Sequence, residues 1–123
     1  MSELPLWQMS ACDLAAKIAA GEVSCSDAVA QTVERMRSFN PKLNAVVDDL
    51  GDEAIAQAKA HDDHLASSGP IGPLHGVPVT IKENIDQTGR ATPNGVEAYK
   101  DIIAPDDSPV VRNFKKAGAI VIG

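Results

Sequence analysis

Apolar positions recur at helical spacing through the first half of the chain and then switch to strict alternation, so helices are expected first and strands later. Ser10-x-x-Asp13 stands before Leu14 and Ile18 as a capping pattern, with Gly21 where a helix would stop, and predicts a helix over about 10–20. Ser24 and Asp27 repeat the pattern, and Val29, Val33 and Met36 carry a second helix over about 25–39, ended by Asn40-Pro41. Leu43 to Val47 reads as a brief extended piece. From Asp52 to Ala66 the alanines, with Ile55 and Leu65, predict a third helix over about 52–66, closed by Ser67-Ser68-Gly69-Pro70.

Val77, Val79 and Ile81 alternate with Pro78, Thr80 and Lys82, which predicts a strand over about 77–82. Gly89, Pro93 and Gly95 mark an irregular surface loop after it. Ser108 offers a capping oxygen with Pro109 at the first helical position, and Val110, Val111, Phe114 and Ala117 form one apolar face of a helix over about 109–117. A last strand follows over about 119–122. Strand, helix and strand in that order predict a βαβ-type unit, with parallel strands and a right-handed crossover. The fold class is therefore α/β, with N-terminal helices followed by that unit, and 1–123 reads as a single partial domain.

Composition changes this picture in one respect. Hydrophobic residues at 44% and charged residues at 23% are ordinary for a soluble domain, but aromatic residues are only 3%. The core must then be built from Ala, Val, Ile and Leu, which favours close packing of helices on a sheet. A net charge of -6 argues against nucleic acid as a partner, because phosphate binding needs a basic face. No apolar run reaches the roughly 18 residues of a membrane span, and the start lacks a secretory leader, so no membrane partner and a cytoplasmic location are expected. Cys12 and Cys25 have no metal-ligand spacing and are expected as free thiols. His61 and His64, with Asp62 and Asp63 between them, have i, i+3 spacing on a polar helix face, which is more often solvated charge than a metal site. No metal and no cofactor are expected.

Candidate chemistry centres on Lys82. Ligand sites in open α/β sheets lie beyond the carboxyl ends of strands, and Lys82 closes one. By position alone such a lysine leans its stem on the sheet and keeps its charge in water. Held instead in an apolar niche, it would lose its proton more readily than the reference pKa of about 10.4 allows, and become a base.

The string Gly72-Pro-Leu-His-Gly-Val-Pro-Val-Thr-Ile-Lys82-Glu-Asn-Ile-Asp86 resembles the amidase signature family, as do Ser108-Pro-Val-Val-Arg112 and Lys116-Ala-Gly-Ala-Ile-Val-Ile-Gly123. The resemblance implies that the chain is part of a larger mixed-sheet fold and that Lys82 is a catalytic residue. It implies a small-molecule amide as substrate, and a relay in which the lysine accepts a proton from a bridging serine, which draws one from the nucleophilic serine. Both serines belong to a Gly-Ser-rich segment that follows the block ending here at Gly123. The chain is therefore expected to be the N-terminal portion of an amidase, inactive alone. Arg90-Ala-Thr-Pro-Asn-Gly-Val96 departs from the family's commoner Thr-rich, Gly-Ser version, which leaves the substrate subgroup open. Two other readings stand beside this one: an amidase-like subunit of a tRNA-dependent amidotransferase, and a non-catalytic α/β module forming homo-oligomers through an open sheet edge. His75 could line a pocket or settle its own turn by a hydrogen bond, and Glu83 and Asn84 are expected to anchor the loop after Lys82.

Overall fold

A computed structural model describes residues 4–123. After a 3-10 turn at Leu6–Gln8, three helices run in succession: α1 (Ala11–Ala19), α2 (Cys25–Leu43) and α3 (Gly51–Ser68). Ser10 caps α1 by accepting the Asp13 N–H at 3.1 Å, and Ser24 caps α2 by accepting the Asp27 N–H at 2.9 Å. Each satisfies one of the donors that a helix start leaves unpaired. A second cap on α2 comes from far along the chain. The Asp62 carboxylate, on α3, accepts the Cys25 N–H at 2.6 Å and the Ser26 N–H at 3.0 Å, placing a negative charge on the positive end of the α2 dipole.

α2 runs a turn past the stop that Asn40-Pro41 predicts. Pro41 lies inside it, and the helix closes only when the Asn44 N–H donates to the Asn40 carbonyl at 2.7 Å, with Asn44 itself left-handed at φ 49°. The Asn40 side chain explains the continuation. Its amide donates to the Val46 carbonyl at 2.8 Å and accepts the Val46 N–H at 2.9 Å, so the returning chain is held by two hydrogen bonds that a helix ending earlier would forgo. The extended piece expected over 43–47 is accordingly helix end and loop.

The strands are shorter than the alternation suggests. β1 is Pro78–Val79 and β2 is Ile120–Val121, paired in parallel with Pro78 opposite Ile120 and Val79 opposite Val121. Hydrogen bonds carry the contact further: the Ile122 N–H donates to the Val79 carbonyl at 2.9 Å, and the Ile81 N–H to the Gly123 carbonyl at 3.0 Å. In sequence, α4 (Pro109–Lys116), capped by Ser108 Oγ on the Val111 N–H, lies between them.

Leu14 and Ile18 of α1, Val29 and Val33 of α2, Ala54 and Ala58 of α3, and Ile120 and Ile122 at the end of the chain form one buried core. Alanines at the α2–α3 contact (Ala28, Ala54, Ala58) let two helices approach closely without aromatic filler, as the composition requires. Two of the four aromatics instead clasp Arg35 outside that core, whose guanidinium lies 4.3 Å from the Trp7 ring centroid and 3.4 Å from that of Phe39. Among the described residues, no helix is long and apolar enough to cross a membrane.

Candidate functional site

At the carboxyl end of β1 the chain opens into a cleft of about 550 Å³, whose apolar lining includes Val46, Val47, Leu50, Ile81 and Ile85. Lys82 stands on its edge. It lies past the strand proper, at the first position of a turn closed by the Ile85 N–H donating to the Lys82 carbonyl at 3.0 Å. The Ile81 bond to Gly123 fixes the residue just before it, so the lysine's backbone is held by two hydrogen bonds, one from each side. The apolar niche expected around Lys82 is not what these residues build. Its side chain is exposed: Ala45 to Asp48, Leu50 and Gly123 contribute to the cleft lining but do not cover it, and Glu83 and Asn84 are exposed as well. Glu83 faces the cleft alongside it.

A further wall was not legible in the sequence. Arg90 lines the cleft and reaches back across two elements: Nη1 meets both Asp48 oxygens at 3.2 and 3.3 Å, and Nη2 meets Glu53 Oε1, in the first turn of α3, at 2.7 Å. The hydrogen bond that Arg90 donates to Glu53, opposed by desolvation and helped by Asp48, raises the Arg90 pKa above its ordinary value. The loop behind Arg90 is braced rather than loose. Gly89 N–H donates to the Ala104 carbonyl at 2.9 Å and Ala104 N–H to the Arg90 carbonyl at 2.8 Å, next to an antiparallel bridge between Ala91 and Ile103.

The histidines assemble away from this cleft. His75 is buried; its Nδ1 accepts the Ile71 N–H at 3.0 Å, which leaves Nε2 as the protonated nitrogen, donating to the His61 carbonyl at 3.1 Å. It settles its own turn. His61 and His64, the pair with metal-like spacing, bond instead through Nδ1 to the carbonyls of Gln57 (3.0 Å) and Gly69 (2.9 Å), and their rings lie 5.1 and 6.2 Å from that of His75. Among the described residues no cluster could hold a metal ion. Cys25, buried beside Asp62, has its thiol pushed up to about 12, by burial first and by the neighbouring carboxylate second, so it stays protonated and is no nucleophile.

Burial, then the proximity of His61, lowers the His75 pKa from its ordinary 6.5, against the opposing pull of the His61 carbonyl and Asp62. The unfolded chain therefore takes up a proton near pH 6.5 that the folded chain refuses. The stability tied to neutral His75 is fully present above that pH and falls away as the pH drops toward the folded value. His75→Gln, which keeps a donor and an acceptor but does not titrate, is expected to flatten the decline in urea-unfolding free energy between about pH 7 and 5. An equally steep decline in the variant would assign the acid sensitivity elsewhere.

A cleft thus opens beyond the end of a parallel strand, with Lys82 supplied by the segment 72–86. The amidase family model matches residues 27–123. The chain belongs to the amidase family. It is 58% identical, over 97% of its length, to the indoleacetamide hydrolase of Bradyrhizobium diazoefficiens, of which it covers 23%. It is 35% identical, over 83% of its length, to a glutamyl-tRNA(Gln) amidotransferase subunit from Heliobacterium modesticaldum, of which it covers 21%. Among solved structures, a fatty acid amide hydrolase superposes with a TM-score of 0.91 at 27% identity, covering 95% of this chain and 21% of that one. The peptide amidase of Stenotrophomonas maltophilia superposes with a TM-score of 0.85 at 32% identity, covering 97% and 25%. The amidase-family chain thus spans about a quarter of the length of the curated relatives it matches.

Proposed function

We propose that this chain is the N-terminal, lysine-bearing part of an enzyme that hydrolyses the carbon–nitrogen bond of a small amide. The observation that carries the reading is Lys82 at the mouth of the cleft, directly after the motif that begins at Gly72. An amide yields slowly because its carbonyl is resonance-stabilised and its nitrogen leaves poorly, so the reaction is divided through an acyl-enzyme. Lys82 acts as general base toward a bridging serine, which activates the nucleophilic serine, and later returns the proton to the departing amine. Both serines and the backbone donors that stabilise the oxyanion come from polypeptide other than these 123 residues. That polypeptide also closes the open side of the cleft and supplies the apolar surroundings that these residues leave incomplete around Lys82.

Identity of 58% to an indoleacetamide hydrolase, and the apolar lining from Val46 to Ile85, support an aryl-substituted acetamide as substrate. The amidotransferase reading rests on 35% identity and requires a tRNA-related partner, and is the weaker of the two. The strand–helix–strand segment is read as a right-handed βαβ unit that continues into the larger sheet of the enzyme, which works in the cytoplasm without cofactor or metal. Oligomers formed through an open sheet edge belong to the non-catalytic reading.

The test uses a serine-directed fluorophosphonate. The 123-residue chain alone is expected to resist it, whereas the parent enzyme is expected to be labelled at one serine outside this chain and to lose arylacetamide hydrolysis in step. Labelling of Ser108, or of any other serine here, at a comparable rate would overturn the relay.

A further inference from the structure

We propose that Arg90, held by Asp48 and Glu53, is a specificity-determining residue that keeps the cleft closed to anionic amides; the inference rests on the amidase reading above. Four charged side chains line the cleft: Lys82, Arg90, Asp48 and Glu83. Two of them are cations, and a substrate carboxylate would look to these for a partner. Lys82 is committed to proton transfer. Arg90 has the planar donor fork best suited to a carboxylate, but both of its terminal nitrogens already face acidic side chains within 3.3 Å.

Arg90 is flanked by two negative charges, so its positive charge is already over-compensated. An incoming carboxylate would have to displace Asp48 or Glu53 and would meet Glu83 besides. A neutral amide meets no such barrier and finds Val46, Val47, Leu50, Ile81 and Ile85 to cover its apolar part. Specificity of this kind comes from what the site refuses as much as from what it holds.

Freeing the guanidinium should reverse the preference. In the parent enzyme, Asp48→Asn with Glu53→Gln removes both counter-charges while keeping two amide oxygens as acceptors. The probes are the primary amide and the free carboxylate at the para position of phenylacetamide, close in size and differing in charge, together with phenylacetamide itself. The ratio of kcat/KM for the anionic probe to that for the para-amide is expected to rise about tenfold or more, roughly the worth of one charge-assisted hydrogen bond. Adding Arg90→Met to the double variant is expected to abolish the gain.

A purely structural clamp would lower both rates together and leave the ratio where it was. Glu53→Gln alone, at a residue 72% exposed, is the fallback should the double variant not fold, and is expected to move the ratio in the same direction. An unchanged ratio in both variants, with phenylacetamide still hydrolysed by the wild type, overturns this inference and leaves the amidase reading standing. A wild-type parent that hydrolyses none of these probes nor any other amide overturns both.

Discussion

Lys82→Met in the parent enzyme is expected to lower kcat for an arylacetamide by about 10²- to 10⁴-fold, the usual worth of a positioned general acid–base group. In the 123-residue chain stability should hardly change, because the side chain is exposed there and makes no ion pair among the described residues, so its loss belongs with surface substitutions worth within about 0.5 kcal/mol. Lys82→Arg separates charge from chemistry, because a guanidinium keeps its proton at any accessible pH and cannot serve as base. Both variants should therefore be equally slow, with fluorophosphonate labelling of the parent slowed as well. Activity within threefold of wild type in either variant would remove the lysine from the mechanism. Melting curves that coincide with wild type would show that the loss is chemical.

Gly76→Ala is expected to destabilise the fold by about 2–5 kcal/mol, a large share of the roughly 5–15 kcal/mol that a domain typically has. Two costs add. Gly76 has φ +76°, a region that an L side chain enters at about 1–2 kcal/mol. A Cβ there would also overlap the Cys25 sulfur and come within 3.3 Å of Ile18 Cδ1, both at 0% exposure, so overpacking adds about 1–3 kcal/mol. The backbone cannot step aside easily, because the Gly76 N–H donates to the Gly118 carbonyl at 2.9 Å. Cys25→Ala in the same chain should return the steric part but not the conformational part, a non-additivity that a double-mutant cycle in urea would read directly. Costs that simply add would show that the contact with the thiol is unimportant.

Local signals in the sequence read well where structure is local. Ser10, Ser24 and Ser108 stand as N-caps, and the expected helices all lie within α1 to α4 or a residue of their ends, because a capping oxygen and its N–H are three residues apart. Pro41 was misleading for the opposite reason: what carries α2 past it is the pairing of Asn40 with Val46 across a turn of the chain. α3 starts at Gly51, one residue before the expected start, with no side-chain cap from Leu50 but with Asp52 and Glu53 in its first turn.

The site divides in the same way. Lys82 and its strand end were visible in a contiguous motif. Arg90 was visible only as part of a segment that departs from the family pattern, since its partners Asp48 and Glu53 lie 42 and 37 residues away. The cap that Asp62 places on α2 and the contact of His75 with the His61 carbonyl are equally non-local: Asp62 and His61 read from spacing alone as solvated charge, and the turn-settling role expected of His75 named no partner on α3.

The hydrogen bond from Ile81 to Gly123 has a consequence for biosynthesis. The lysine's strand has no parallel partner until the ribosome has delivered residues 120–123, which at about 5–20 residues per second leaves Val77, Val79 and Ile81 unsheltered for seconds. During that interval the nascent segment carries an unpaired strand edge, the kind of surface on which misassembly begins.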